Sequence, residues 1–455
     1  MSEKIIAAIA TPQGTGGISV IRVSGEGCIA LCDKVFRAAG KTTLRSLKGY
    51  TARYGGIYDK DELVDEVVCL VYKAPHSYTG EDVVEISCHG GVYITNRVLR
   101  VILDAGAKVA EGGEFTKRAF LNGKLDLTQA EAVMDIIGAR GEQAARAALN
   151  SRQGKLFKKV TDVKNSLIET AAHLAAWADY PEEDVPEITT EEIELTVNKN
   201  IRILDELLGS YDNGKLLREG IDTVIIGRPN VGKSSIMNLL SGCDRSIVTD
   251  IEGTTRDIIE ETVTLDDVVL RLSDTAGIRN TDNVIEKLGV DRALDKLNTC
   301  GLVIAVFDNS SPLTQSDMEI IENIKNIPCV AVINKNDLQT NIDLEYLNKK
   351  FGEVVSVSAK YDSDVTALAK AVKKAVNIKN IDANSVVLAN ERQREKILNA
   401  KQGLCEVIDA IKAGMTLDAV TVSVEFAVNE IAQLTGESAS EEIIDNIFKR
   451  FCVGK

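Results

Sequence analysis

The sequence predicts a multidomain fold of mixed α+β and α/β class. An α+β domain comes first, then a helical domain split in sequence by an inserted α/β domain. Three observations predict it. A chain of 455 residues is too long for one hydrophobic core, which sets an expectation of about two to three domains. The texture of the chain changes three times along its length. One of those textures, strand–loop–helix alternation, lies between two helical stretches, as an inserted domain does when its termini lie close together at the surface.

Residues 1–120 mix the strand-like runs IIAAIA, GISVIRVSG, ELVDEVVCLVY and DVVEISCHGG with a helix after Gly91. Residues 121–215 are the first part of the helical domain. From about Asp126 to Tyr211, Ala, Glu, Leu and Lys dominate and Gly is rare. Thr128 followed by Glu131 reads as a capping-box start, and Thr190 as a cap after the proline-broken DYPEEDVPEITTEE. Residues 216–378 alternate strand and helix, which implies a mostly parallel sheet. Residues 379–455 return to helix and end with Ile443, Ile444, Ile447, Phe448 and Phe451 at helical spacing, then Cys452, Val453, Gly454 and Lys455. Chain ends commonly fray. An apolar run and a cysteine beside an aromatic this close to the terminus predict an end that is tied down.

The composition, 44% apolar and 27% charged, is that of an ordinary globular protein. Lys and Arg number 53 against 68 Asp and Glu, a net charge of −15. That argues against a protein that coats nucleic acid or anionic membrane through its global field, and leaves room for a local basic site. No run reaches the ~18–20 apolar residues of a membrane span. The start, MSEKIIAAIATPQG, lacks a signal peptide's apolar length, so a cytoplasmic protein with no membrane partner is expected. The nine cysteines are scattered, odd in number and never at CxxC spacing, which suits a reducing compartment. Cys28 and Cys32, four apart on one helix face, read as packing. CVGK superficially matches a prenylation box, but Lys is not an accepted last residue.

VIIGRPNVGKSS carries the G-x-x-x-x-G-K-S spacing of a phosphate loop in Gly227, Gly232, Lys233 and Ser234. It follows the β-branched run Val224–Ile226 and opens a helix over Ser235–Leu240, so backbone N–H groups can cradle phosphates at a helix N-terminus. Nucleotide contacts are expected from Asn230, Val231, Gly232, Lys233, Ser234 and Ser235. Lys233 would reach the β- and γ-phosphates, and Ser234 would ligate Mg²⁺. DTAG (Asp274, Thr275, Ala276, Gly277) ends the strand VVLRLS, where a carboxylate can hold the Mg²⁺ shell and Gly277 can bond the γ-phosphate. NKND ends the strand CVAVI, with Asn334, Lys335 and Asp337. An Asp there accepts N1–H and the 2-amino group together, a donor pair that guanine has and adenine lacks. SAK (Ser358, Ala359, Lys360) ends the next strand with a backbone N–H for the guanine O6. VTDIEGTTRD occupies the first switch position, with Thr255 as the expected Mg²⁺ and γ-phosphate ligand and Thr249 and Thr254 beside it. These elements in this order resemble the translation-factor-like GTPases, with a Ras-like inserted domain. One position departs from Ras-like patterns: Ile278 follows Gly277 where a water-orienting Gln would stand.

The flanks add a second resemblance. TPQGTGGISVIRVSG, YTGEDVVEISCHGG, GGEFTKRAFLNGKLDLTQAEAV and the terminal FCVGK together resemble the MnmE (TrmE) family of tRNA-modifying GTPases. The resemblance implies an N-terminal domain that binds a one-carbon tetrahydrofolate (the 5-formyl or 5,10-methylene form) and mediates homodimerisation. It implies a flavoprotein partner, MnmG (GidA), in a heterotetramer. Together the two would place an aminomethyl or carboxymethylaminomethyl group on C5 of the wobble uridine of certain tRNAs. It implies a K⁺-stimulated GTPase activated when two G domains approach. Asn230 matches the family's K⁺ ligand, and Thr249, Ile251 and Thr254 match the segment that completes the ion's shell. Glu286 in NTDNVIEKLG matches the acid that orients the hydrolytic water; by position alone it reads as a solvated helix charge. Arg22, Glu81 and Lys124 match folate-pocket residues, whereas by position alone each is a surface charge. Lys455 matches a further folate-binding residue, and Cys452 would stand near the one-carbon unit, either as a nucleophile or as packing.

For tRNA, the stretch from Arg140 to Lys159 holds six basic residues and one acid, Glu142. On a continuous helix Arg140, Arg152, Lys155, Lys158 and Lys159 fall within an arc of about 120°, opposite Leu149, Leu156 and Leu167. The bland alternative is a solvated helix face, and Gly154 is a candidate break. At the level of function the alternative is a GTPase switch in ribosome assembly without small-molecule chemistry. A membrane-remodelling GTPase would need a lipid-binding segment that the sequence does not supply.

Overall fold

The structure is a computed structural model, and it describes residues 4–179, 189–242, 261–266, 268–272, 297, 300–324, 327–361, 365–377 and 385–454. By compactness the chain divides into two units. Unit 1 is Met1–Met134, Ser151–Asp205 and Arg392–Lys455; unit 2 is Asp135–Asn150 and Glu206–Glu391.

Unit 1 opens with seven strands: β1 (Ile6–Ile9), β2 (Ile18–Ser24), β3 (Phe36–Ala38), β4 (Thr51–Asp59), β5 (Glu62–Tyr72), β6 (Val83–His89) and β7 (Lys108–Val109). They form one sheet in the order β3-β4-β5-β6-β2-β1-β7, antiparallel except where β7 runs parallel to β1. Period-two alternation sorts the side chains. Val67, Cys69 and Val71 of β5 point into the core with Ile21, Val23, Ile86 and Val84. Helices Cys28–Val35 and Val92–Asp104 cover that face. In the second, Val98, Val101 and Ile102 are buried at helical spacing. Cys28 and Cys32 are buried in the same core, where desolvation pushes both thiols far up from the usual range.

The opposite face of β1 and β2 carries Ile6, Ala8 and Arg22, against Ala110, Phe115 and Tyr78. Helices Glu114–Leu121 and Glu441–Phe448 also belong to unit 1, and Phe448 and Phe451 pack with Ala119, Leu125 and Leu127. The long helices Lys155–Asp179 and Leu417–Thr435 bury Leu156, Val160, Val163 and Leu167, and Val420, Val424, Ala427 and Ile431. Those i, i+4, i+7 spacings mark one apolar stripe on each helix.

Three readings of the helical part are corrected. Helix Leu127–Gly138 starts from an Asp126/Gln129 box, not from Thr128 and Glu131. Asp126 Oδ1 accepts from the Thr128 and Gln129 N–H groups (2.8 and 3.1 Å), and Gln129 Oε1 accepts from the Asp126 N–H (3.0 Å). Glu131 is instead buried under Arg392, at 2.8 Å to both carboxylate oxygens, and Gln393 at 2.8 Å. Helix Thr190–Glu219 is capped by Thr189, whose hydroxyl accepts from the Glu192 N–H at 3.2 Å while Glu192 returns to the Thr189 N–H at 3.1 Å. The basic stretch is not one helix. Helix Glu142–Arg152 stops, Gly154 takes φ 80°, and a new helix starts at Lys155. The single arc therefore does not form, and Leu149, expected on its apolar side, is 46% exposed.

Unit 2 holds β8 (Ile221–Ile226), β9 (Glu261–Leu265), β10 (Val268–Leu272), β11 (Leu302–Asp308), β12 (Cys329–Asn334) and β13 (Glu353–Ser356). The sheet order is β13-β12-β11-β8-β10-β9, parallel except for the β9–β10 hairpin, the topology of a Ras-like G domain. Every residue of β11 is buried, as expected for a strand covered on both faces. Helices Lys233–Ser241 and Thr366–Ala375 cover one face, and Gln315–Asn323 and Leu344–Lys350 the other.

Candidate functional site

In unit 2 the strand order reverses at β8, which is flanked by β10 and β11, and ligands of open α/β sheets bind at such a point beyond the carboxyl ends of the strands. The loop after β8 carries Gly227 to Ser234 there. Gly232 takes φ 98°, and a Cβ on it would stand 2.1 Å from Asn334 Nδ2, so the loop's close approach to the β12 end requires glycine. Asn230 also takes a left-handed φ of 63°, which Asn tolerates better than most residues. Lys233 lies across the loop, donating to the carbonyls of Gly227 (2.8 Å) and Arg228 (3.0 Å). Ser234 and Ser235 are exposed on the first turn of helix Lys233–Ser241.

Asn334 ties three segments together. Its Nδ2 donates to the Val231 carbonyl at 2.8 Å, and its Oδ1 accepts from the Ala359 N–H at 3.1 Å. Asp337 accepts from the Ser358 hydroxyl at 2.5 Å. The structure thus brings Val231, Gly232, Lys233, Asn334, Asp337, Ser358 and Ala359 into one neighbourhood, with Lys335 beside Asn334 and the exposed Lys360 ending SAK.

Two supports were not read from the sequence. Asp308, at the end of β11, pairs with Lys335 at 2.6 Å. Burial pushes the Asp308 carboxyl up, but hydrogen bonds from Lys335 and Ser310 outweigh it and hold the group below the usual carboxylate range. A carboxylate closing the apolar run LVIAVFD is the signal that could have found it. Arg228, inside the phosphate loop, hydrogen-bonds Ser311 and pairs with the buried Asp317 at 3.3 Å. Thr249, Ile251, Thr254, Thr255, Asp274, Thr275, Ala276, Gly277 and Glu286 lie outside the described residues, as does Lys455.

In unit 1, Arg22 sits between the rings of Tyr78 (5.4 Å) and Phe115 (5.6 Å) and pairs with Glu85 at 2.8 Å. Its remaining nitrogen donates to the Gly454 carbonyl at 3.2 Å, which joins the terminal segment to the sheet. The Gly113 N–H donates to the Cys452 carbonyl at 3.3 Å, and Gly112 bridges Val453. Gly454 takes φ 93°, and a Cβ there would stand 2.3 Å from the Ile9 carbonyl oxygen. The tail is docked down to Gly454, while the Cys452 side chain stays exposed. Glu81 accepts from Ser24 Oγ at 2.7 Å and pairs with the buried Arg118 at 3.2 Å, an arginine of the GGEFTKRAF run to which the sequence alone assigned no role. Lys124 donates to the Pro75 carbonyl at 3.1 Å, on the same β5–β6 loop that carries Tyr78 and Glu81. The structure joins Arg22 directly to the tail, ties Glu81 to Ser24 on the same strand as Arg22, and ties Lys124 to the loop that carries Glu81.

Two family profiles match consecutive parts of the chain. Residues 5–124 match the profile described as "GTP-binding protein TrmE N-terminus", and residues 127–452 that of the "MnmE helical domain". Over 458 aligned residues the chain is 42% identical to the tRNA modification GTPase MnmE of Lachnoclostridium phytofermentans, covering 100% of both chains. The chain belongs to the MnmE family of tRNA modification GTPases. It is an enzyme of the GTP-hydrolysing class. The MnmE protein of Clostridioides difficile is 38% identical over 100% of this chain and 99% of its own. Among solved structures, the G domain of the Thermotoga maritima FeoB iron transporter is 24% identical over 34% of this chain and 98% of that one, at TM-score 0.26. Era of Aquifex aeolicus is 24% identical over 40% of this chain and 66% of that one, at TM-score 0.27. No helix among the described residues is long and apolar enough to cross a membrane.

Proposed function

We propose that this MnmE-family GTPase acts on tRNA with a flavoprotein partner of the MnmG (GidA) type. The pair would add an aminomethyl or carboxymethylaminomethyl group at C5 of the wobble uridine, in the cytoplasm and as a homodimer. The working segments are the folate-binding and dimerisation region 1–120, the helical parts 121–215 and 379–455, and the G domain 216–378. The observation that carries the reading is the docking of the chain's own tail onto Arg22: a terminus held at 3.2 Å beside a cation between two aromatic rings belongs to a pocket, not to a frayed end. A ribosome-assembly switch would have no use for that construction.

The residues fit a reduced folate. Glu81 is oriented by Ser24 and Arg118, and it is the carboxylate that would meet the N–H donors of a pterin. Arg22, Lys124 and Lys455 would receive its carboxylates. When bound, the folate supplies the one-carbon unit; the protein's part is to hold the ring and, through the tail, to screen it from water.

GTP would bind at the nucleotide site with Mg²⁺, for which Ser234 and Thr255 would be ligands and Asp274 would hold the outer shell. Asn230, Thr249, Ile251 and Thr254 would hold K⁺, whose charge offsets negative charge building in the transition state. Glu286 would orient the water that Ile278 cannot. Hydrolysis measured in matched K⁺ and Na⁺ salts should drop sharply in Na⁺, and nucleoside mass spectrometry of tRNA from cells lacking the protein should show the unmodified wobble uridine. Equal turnover in the two salts would remove the K⁺ assignment; a normal nucleoside profile would remove the tRNA reading.

A further inference from the structure

Unit 1 holds a cavity of about 460 Å³, within the roughly 300–1,000 Å³ of small-molecule sites, that shares Gly112 and Arg118 with the tail and Glu81 contacts above. β7, helix Glu114–Leu121 and helix Glu441–Phe448 contribute its walls. Ile6 and Phe448, each 2% exposed, give it an apolar lining. Five cationic residues line it: Lys4, Lys108, Lys117, Arg118 and Lys449. Two are satisfied within the protein, since Lys117 pairs with Asp445 at 2.5 Å and Arg118 with Glu114 at 2.9 Å. Lys4 and Lys108 line the cavity from adjacent chain segments, Lys4 two residues before Ile6, which pairs in parallel register with Lys108. The Lys4 amine, by a side-chain hydrogen bond and by charge repulsion, holds the Lys108 ammonium below the usual lysine range. Among the described residues neither pairs with a carboxylate, although Glu111 and Glu114 line the same cavity.

Ammonium groups that line one cavity beside an apolar wall repel one another, and an anion between them turns that repulsion into attraction. Compact, strongly hydrated ammonium charges suit phosphate or carboxylate oxygens. We propose that this cavity binds a small polyanion, its clustered carboxylate or phosphate groups held by Lys4, Lys108 and Lys449 and its apolar part lying on Ile6 and Phe448. The site is separate from the nucleotide site, which is built wholly within unit 2.

The test is calorimetric titration of the full-length protein saturated with GDP in metal-free buffer, so that the phosphate loop is already filled and chelation heat is avoided. One arm uses citrate and the other inorganic pyrophosphate, and the arm that binds separates a carboxylate from a phosphate source. Millimolar or tighter binding in either arm is expected. It should weaken about tenfold or more per lysine removed in Lys4→Ala, Lys108→Ala and the double variant. These lysines are exposed, so thermal midpoints should hold. Lys108→Glu should abolish binding. No heat in either arm with the unaltered protein, or equal affinity in the double variant, would overturn the proposal.

Discussion

Asp337 is held in place before any base reaches it. The Ser358 hydroxyl fixes one carboxylate oxygen at 2.5 Å, and Lys335, in a left-handed conformation of φ 64°, is clamped by Asp308. The depressed Asp308 pKa gives the clamp its sign. Its contribution is present above the unfolded carboxyl's ~3.9 and lost as pH falls through the lower folded value, so it is intact at neutral pH. In the proposed guanine contact, Asp337 accepts two N–H bonds, each worth ~1.5 kcal/mol or more to a charged acceptor. Asp337→Asn should therefore weaken GTP roughly 100-fold and improve binding of xanthosine triphosphate, whose 2-carbonyl meets the new amide donor. Nucleotide competition measures both, and unchanged GTP affinity would remove Asp337 from the base site. The motif residues were legible because each must stand at a fixed offset from a strand end. The roles of Asp308, Asp317 and Arg118 were not, because their partners Lys335, Arg228 and Glu81 lie 27, 89 and 37 positions away and sequence spacing does not reveal such pairings.

At the scale of elements, strands and long helices followed from alternation and from i, i+4 stripes, while helix starts slipped. Asp126 displaced Thr128, and Thr189 displaced Thr190, because several capping-competent residues sit together and only the entering chain's direction chooses among them. Glu131 was misread for a longer-range reason, its pairing with Arg392 and Gln393. The break at Gly154 changes the tRNA argument. Lys155, Lys158 and Lys159 now crowd the start of helix Lys155–Asp179, whose first turn holds no acidic residue. Cations there oppose the helix macrodipole, an arrangement that an external phosphate would relieve. Replacing the three by Ala should weaken tRNA binding and flatten its salt dependence by about 0.7–0.9 log unit of slope for each phosphate no longer neutralised. Filter binding across a salt series gives that slope. An unchanged slope would leave these lysines as a solvated helix end.

At the scale of the molecule, the two kinds of site belong to different compact units. The phosphate loop and NKND lie in unit 2, and the docked tail lies in unit 1. Deleting Cys452 to Lys455 removes the Gly454 carbonyl from Arg22, the Cys452 carbonyl from Gly113 and the bridge to Gly112. It leaves Phe448 and Phe451 packed on Ala119 and Leu127, so unit 1 keeps its core. The truncated protein should therefore hydrolyse GTP at close to the normal rate, bind reduced folate poorly and fail to modify tRNA. Lys455→Ala should weaken folate binding by loss of charge alone. Cys452→Ser keeps every backbone hydrogen bond of the tail and so isolates the thiol: normal modification by that variant assigns Cys452 to packing, and failed modification with intact folate binding assigns it to chemistry. Calorimetric folate titration, GTP turnover and nucleoside analysis on the same three variants separate these outcomes. A truncation that abolishes GTP hydrolysis together with modification would sink the argument, because the deleted residues belong to unit 1 and the phosphate loop to unit 2.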